Sequence, residues 1–271
     1  MPSTASQSVV SIVIATHNRL ARLQRCIARV RENVSLPAEI IIVGGSAPDG
    51  TAEWVLSQPD LRLIRETTRE GATRAYNKGF RAATAEFVMW LNDDSYPLPG
   101  AVEAAIEMIR DPALPDLGMV AFYHNFDRRW NRLHSVEHAG ETYSIFNVRG
   151  VPYANFGLLR RSLLASLGLL DERYYFSAWD PDLSLKVQRE AGLAVLGCPR
   201  ALVYHEELID DRKQADLPAL ARDNDLLFAK WNLPEKFTYA DPAPEYQRML
   251  LRRGICAIPS DLTTDHAPAI A

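Results

Sequence analysis

The residues of this chain able to do chemistry fall in short clusters. Asn92-Asp93-Asp94 follows the apolar run 87–91 (FVMWL). Carboxylates just beyond a buried strand offer the oxygen ligands that a hard divalent cation takes. Such a cation can bridge a substrate diphosphate and neutralise charge as a leaving group departs. The same residues, ahead of Pro97 and Pro99, equally make a turn. His205 ends the run ALVYH, where it either gives a neutral imidazole to the same ion or is a hydrogen-bonded surface residue. Asp180, in FSAWDPDLS, is a candidate general base for a hydroxyl proton. With Pro181 behind it, Asp180 is also a helix start, Asp at the cap and Pro at the first helical position. Both roles are compatible, because a cap is a rigid mounting. Asp182 reads as a first-turn acid favoured by the helix dipole.

Further candidates are weaker alone. Arg74 and Lys78 are four apart after Gly71, so they share a helix face. Arg74 can fork onto a phosphate or a base edge, or that face is merely solvated. Gly44-Gly45 either lets backbone approach a ligand or forms a turn. It is not a GxGxxG fingerprint, so a dinucleotide cofactor lacks support.

The elements that must position these residues alternate between strand and helix patterns, the mark of βαβ units around a parallel sheet. Strands are expected over 9–15 (VVSIVIA), 39–43, 61–65, 87–91 and 117–123. Helices are expected over 20–30, where Leu20, Leu23, Ile27 and Val30 share a face, and over 71–83 and 100–110. Asp49-Gly50-Thr51 reads as a turn capping a helix that carries Trp54 and Val55. Ligands of open α/β sheets gather at the carboxyl ends of the strands. Thr16-His17-Asn18-Arg19, Gly44-Gly45-Ser46, Asn92-Asp93-Asp94 and His205 all fall at such ends, which predicts one composite site. The second half is less regular. Residues 124–150, rich in Arg, His and Asn, show no period and read as a surface excursion or an acceptor-facing loop. A helix opens at Asp180-Pro181 and stops at Gly192, strands cover 193–196 and 201–204, and a helix covers 217–231. The tail from Pro234 is punctuated by prolines.

The chain has 271 residues, 47% apolar and 24% charged, enough to bury a full core. A net charge of −4 speaks against a general nucleic-acid binder, which needs a basic surface. Cys26, Cys198 and Cys256 are widely spaced and give neither a disulfide framework nor a metal-binding pair. The run 9–15 is too short to cross a bilayer, and no later segment is long and apolar enough. A cytoplasmic protein is expected, with peripheral contact to a membrane-bound acceptor still open.

Together, SIVIATHNR, IIIVGGSAPDGT, GATRAYNKGF, FVMWLNDDSYPLPG, the stretch from NFGLLRR to REAGLAV, and PRALVYHE resemble, in order, the segments of the family 2 glycosyltransferases. The resemblance implies an α/β chain with the GT-A (Rossmann-like) fold, a mostly parallel central sheet flanked by helices. It implies a glycosyltransferase domain over 1–235, with a nucleotide-sugar half (8–123) and an acceptor half (124–235), and a C-terminal extension over 236–271. It further implies a Mg or Mn cofactor and a sugar moved from a nucleotide-diphosphate donor to a glycan, lipid-linked or small-molecule hydroxyl, with inversion. Carried over by position, Asp94 and His205 are the metal ligands and Asp180 the catalytic base. Asp93 sits near the donor ribose or the metal, and Thr16, Asn18, Arg19, Gly44 and Arg74 belong to the nucleotide pocket. Three positions depart from the family pattern. Gly44 replaces an Asp that contacts the donor base, Asn92 replaces the first metal-segment acid, and Trp179 replaces the acid before the base, where it offers a ring to a sugar face.

Two rivals stand beside this reading. One is a non-catalytic nucleotide-sugar-binding protein of the same fold, motivated by Gly44 and Trp179. The other is a nucleotidyltransferase, which would carry a Gly-rich basic loop after the first strand where this chain has ATHNRLAR.

Overall fold

The computed structural model describes residues 8–125, 131–206, 210–233 and 243–255. Its backbone is one mixed, curled sheet of eleven strands. Strands β1 (Val10–Ala15), β2 (Ala38–Gly44), β3 (Leu61–Arg65) and β4 (Phe87–Asn92) are joined through helices α1 (Leu20–Asn33), α2 (Thr51–Leu56) and α3 (Ala72–Ala82). They pair in parallel in the order β3-β2-β1-β4. β1 and β4 are apolar almost throughout and buried over nearly their whole length, as strands covered on both faces must be. α1 buries Leu23, Cys26, Ile27 and Val30, one stripe at helical spacing. α3 lies close on the sheet because residue 79 is glycine: a Cβ there would sit 2.2 Å from Val13 Cγ1.

Past β4 come β5 (Ser95–Pro97), α4 (Ala101–Arg110), β6 (Leu117–His124), β7 (Arg132–His138), β8 (Glu141–Val148), β9 (Val151–Tyr153) and β10 (Gly157–Arg160). Helices α5 (Arg161–Ser166) and α6 (Trp179–Leu185) lead to β11 (Ala194–His205), α7 (Asp211–Ala215), α8 (Leu217–Trp231) and α9 (Ala243–Arg252). β10 runs antiparallel between β4 and β6, β11 lies parallel to β6, and β5 pairs antiparallel with β11. β3, β2, β1, β4, β6 and β11 therefore all end at the same edge of the sheet, and the residues ahead of β10 begin there. The β5–β11 pairing curls that edge, bringing the end of β11 beside the residues that follow β4.

Three expectations for the second half need correction. Residues 132–148 form a β-hairpin instead of an irregular excursion. His138 faces Glu141 across Ala139 and Gly140, both at positive φ (52° and 81°), the twist a two-residue hairpin turn requires. The period is faint because much of β7 is exposed and polar, with Leu133 its one buried position. The two strands expected on either side of Cys198-Pro199 are one strand, β11, with a register shift between Cys198 and Leu202; a proline gives no ladder donor and sits at such irregularities. The helix expected to start at Asp180 as its cap starts at Trp179, preceded by Ala178 at φ 63°, and its last turn widens into a π-turn over Lys186–Glu190.

Asp49 does cap: its carboxylate accepts the Thr51 backbone N–H and also that of Leu20 at the start of α1. α9 packs on β7, with Tyr246 and Leu250 buried and the Tyr246 hydroxyl accepting the Gly197 N–H at 2.7 Å. Cys26 and Cys198 are buried free thiols, and burial pushes both upward in pKa; Cys256 and most of 236–271 lie outside the described residues. No helix among the described residues is long and apolar enough to cross a membrane.

Candidate active site

The shared strand edge opens into a cavity of about 620 Å³, a size typical of small-molecule sites. Thr16, Arg19, Asp93, Asp94, Asp180 and His205 all line it. The β1 end supplies Thr16 and Arg19. Asn18 adopts φ 56°, a left-handed turn that Asn tolerates, and the chain then sends Arg19 inward. The Arg19 guanidinium donates to Asp93 Oδ1 (3.1 Å) and Asp94 Oδ2 (2.9 Å), and through Nε to Asp210 Oδ2 (2.8 Å). Thr16 Oγ1 donates to Asp93 Oδ2 at 2.8 Å. The second oxygen of Asp94 faces His205 Nε2 at 3.2 Å. Burial favours the neutral form of Asp94, but the hydrogen bond and charge of His205, with Arg19, outweigh it and hold the carboxyl well below the usual carboxylate range. Burial likewise opposes the charge of Arg19, and Asp93, Asp94 and Asp210 more than restore it.

These residues suit a divalent cation. Asp93, Asp94 and Asp210 gather on the Arg19 guanidinium in a mostly buried wall, carboxylate oxygens of the kind a hard divalent cation takes. Asp94 Oδ1 and His205 Nε2 already converge on a single point. Among the described residues no three His, Cys, Asp or Glu side chains meet as a complete cage. The remaining ligands would have to be substrate oxygens and water, the usual arrangement for Mg²⁺ at a phosphate site.

On the β10 side, Asp180 Oδ2 accepts the Asn155 side-chain N–H at 2.7 Å, and Asn155 Oδ1 meets His124 Nε2 at 3.1 Å. The Asn155 backbone carbonyl accepts Trp90 Nε1–H at 2.7 Å. Trp179 packs its ring against Tyr76 and Trp90, with centroids 4.8 and 5.6 Å away, while still touching the cavity. The loop leading into α6 is held from α8: Asp223 Oδ2, fully buried, accepts the backbone N–H groups of Tyr175, Phe176 and Ser177 at 3.0, 2.7 and 3.0 Å.

Residues 11–168 match the family model described as Glycosyl transferase family 2. The chain belongs to that family. It is 27% identical over 213 residues to the pre-mycofactocin glycosyltransferase of Mycobacterium tuberculosis, an alignment covering 76% of this chain and 44% of that protein. This chain therefore spans less than half of that relative's length. An uncharacterized glycosyltransferase of Bacillus subtilis is 25% identical over 214 residues, 78% of this chain and 79% of the relative. Among solved structures, the fold resembles a Pyrobaculum calidifontis mannosyltransferase in complex with GDP-Man and Mn²⁺ (TM-score 0.60, 17% identity, 93% of this chain and 77% of that one). It also resembles S. aureus TarS with UDP-GlcNAc (TM-score 0.61, 15% identity, 90% and 73%). The GT-A type of fold expected from the sequence is the fold observed.

In this family 2 glycosyltransferase, three sequence candidates stand off the cavity wall. Asn18 is exposed and serves as the turn described above. Gly44 faces the Thr16 backbone: a Cβ at 44 would lie 2.4 Å from the Thr16 carbonyl oxygen, so this backbone admits no side chain there. Arg74 is half exposed beside Glu172 (3.7 Å), on a neighbouring surface groove. Its helix turns that face outward and presents Ala72, Ala75 and Tyr76 to the cavity. Asp182 is more than a first-turn acid. It is buried and accepts Tyr174 Oη–H (3.0 Å), Trp231 Nε1–H (2.7 Å) and the Lys230 ammonium (2.9 Å), bolting α6 to α8. Asn155, Asp210 and Asp223 escape a reading of the sequence because each acts on a partner far away in the chain and none sits in a recognisable pattern.

Proposed function

We propose that this protein is a metal-dependent, inverting glycosyltransferase that moves a sugar from a nucleotide-diphosphate donor to an acceptor hydroxyl. The observation that carries the reading is the convergence of Asp94, His205, Arg19 and Asp180 on one cavity at the carboxyl edge of the sheet. Family membership and the Mn²⁺ and nucleotide-sugar complexes of the structural neighbours support it. Asp94 and His205 would hold Mg²⁺ or Mn²⁺, whose charge stabilises the departing diphosphate. Arg19 and Thr16 fix the Asp93 and Asp94 carboxylates. Asn155 orients the Asp180 carboxylate, which takes the acceptor hydroxyl's proton as the acceptor oxygen bonds to the anomeric carbon and the bond to the diphosphate oxygen breaks. A single displacement of this kind inverts the anomeric centre. We assign the donor to 8–123 and the acceptor to 124–235, where α8 lends Leu220, Leu227 and Phe228 to the wall. The acceptor is a glycan, a lipid-linked saccharide or a small molecule.

Asp180→Asn keeps shape and removes the base. Its kcat should fall by roughly 10²–10⁴-fold with donor affinity unchanged, measured as product formation beside calorimetric donor binding. Undiminished turnover would remove Asp180 from the mechanism. Donor binding by the wild type without any turnover would favour a binding-only protein.

A further inference from the structure

We propose that Arg149 grips an anionic group of the acceptor, so that the molecule glycosylated carries a phosphate or a carboxylate besides its reacting hydroxyl. This rests on the cavity being a glycosyltransferase site in which Asp180 faces the acceptor. Val148 pairs with Val151, so Arg149 and Gly150 are the two residues of a tight hairpin turn, at φ 51° and 83°. Such a turn takes Asn-Gly by preference, because both of its residues sit in the left-handed region. The molecule has a second turn of this form, Ala139-Gly140, and there the first position holds a small, exposed residue. A long arginine at the first position is a strained choice, and such strain gathers where ligands bind.

The Arg149 guanidinium lies over the Phe228 ring of α8, its Cζ 4.7 Å from the centroid, and both residues line the cavity. A guanidinium held by its face binds through its edge, where paired N–H groups match two oxygens of a phosphate or carboxylate. The turn is braced against the helix that carries Asp180. Ser184 Oγ donates to the Asp180 carbonyl at 2.9 Å and accepts the Ala154 N–H, just past β9, at 3.1 Å. Gln188 Nε2 donates to the Pro152 carbonyl at 2.8 Å. Arg149 therefore belongs to the Asp180 side of the cavity, apart from the strand ends that carry Arg19, Asp93 and Asp94. Asn147 joins the turn to a further polar group. Its Oδ1 accepts the Gly150 N–H at 2.9 Å, and its own backbone and side-chain N–H groups donate to the Asn131 carbonyl at 2.8 and 2.9 Å. Asn131 lines the cavity and is 5% exposed. Its Oδ1 has no hydrogen-bond partner among the described residues. Buried polar atoms are ordinarily satisfied, so a polar group from outside the chain is expected at this end of the cavity.

The test is calorimetric titration of the intact protein, holding Mn²⁺ and whichever of UDP, GDP, CDP, ADP and dTDP it binds, by glucose 6-phosphate, glucuronate and glucose. The three probes share a ring and differ in charge. An anionic probe should bind roughly tenfold to a hundredfold tighter than glucose, the ratio carried by hydrogen bonds to a charged group, and the two charged arms separate phosphate from carboxylate. Arg149→Asn puts the residue preferred by the turn at 149. Its thermal melt should match or exceed that of the wild type, while the charged probe loses its advantage and the nucleotide keeps its affinity. Equal binding of charged and neutral probes, no binding of either charged probe, or an advantage that survives in Arg149→Asn overturns the role of Arg149. A loss of nucleotide affinity in Arg149→Asn overturns it too, by moving Arg149 to the donor. A wild type that binds no nucleoside diphosphate overturns the glycosyltransferase reading itself, and this proposal with it.

Discussion

On the β1–β4 side of the cavity, Thr16, Arg19, Asp93 and Asp94 lie within a few residues of parallel strand ends and bind one another, with Asp210 and His205 as further partners. On the α6 side, Asp180 rides a loop whose shape is imposed from α8, through Asp223, 46 to 48 residues later in the chain. Asp182 repeats the device one turn on, through Lys230 and Trp231. The first arrangement is stiff because the sheet is stiff. The second is stiff only while a few buried polar bonds hold. On the proposed reading, the groups that stay with the diphosphate are built in the first way and the group that meets the acceptor in the second.

The sharpest way to break this contrast, after Asp180→Asn, is Asp223→Asn. The amide oxygen can still face the three backbone N–H groups, but without the charge that strengthens those bonds. Its NH₂ then meets the Arg222 guanidinium that now donates to Oδ1, a loss of about 1–3 kcal/mol. The loop bearing Asp180 loosens, and kcat should drop by roughly tenfold to a hundredfold, the scale of an ångström-level misplacement. Nucleotide affinity should stay put, because the β1–β4 side is untouched. Steady-state kinetics beside calorimetric binding separates the two. Equal losses in both would show that α8 stabilises the whole molecule instead of one loop.

Acid stability tests the other side. The folded-state pKa of Asp94 is depressed, so its contribution is fully present above the ordinary carboxylate pKa of about 3.9 and is lost as pH falls through the lower folded value. Each unit of depression is worth about 1.4 kcal/mol. Urea unfolding between pH 5 and pH 2 should show a steeper acid loss in the wild type than in Asp94→Asn. Parallel curves would mean that the His205 and Arg19 contacts do not favour the ionised form.

The smallest effect is expected at Arg74. Its ion pair with Glu172 is about half exposed and 3.7 Å long, so Arg74→Ala should shift stability by no more than about 0.5 kcal/mol and leave nucleotide affinity unchanged. A tenfold affinity loss would return Arg74 to the site.

The same contrast explains what could be read from the sequence. Apolar runs followed at once by polar residues mark parallel strands and the site at their ends, so β1–β4, α1, α3 and the Asp93-Asp94 corner are legible from local pattern. α8 is legible as a helix over 217–231, but its work is not. Asp223 looks like any helical acid until its three backbone partners are known. The β7–β8 hairpin lacks a clear period because β7 buries only Leu133, and β11 reads as two strands because Pro199 mimics a boundary that the sheet bridges with a register shift. Gly44 and Arg74 show the converse: each stands in a recognisable motif, while in the fold a Cβ at 44 would meet the Thr16 backbone and Arg74 lies beside Glu172, off the cavity lining.

On the proposed mechanism, Asp94 and His205 together hold a divalent cation that also binds the donor diphosphate. Calorimetric titration of Mn²⁺ into protein carrying a bound nucleoside diphosphate tests it directly, with Asp94→Ala and His205→Ala beside the wild type. The expected result is one Mn²⁺ bound by the wild type and strongly weakened binding in each variant, with both variants still folded. Undiminished Mn²⁺ affinity in Asp94→Ala would contradict it.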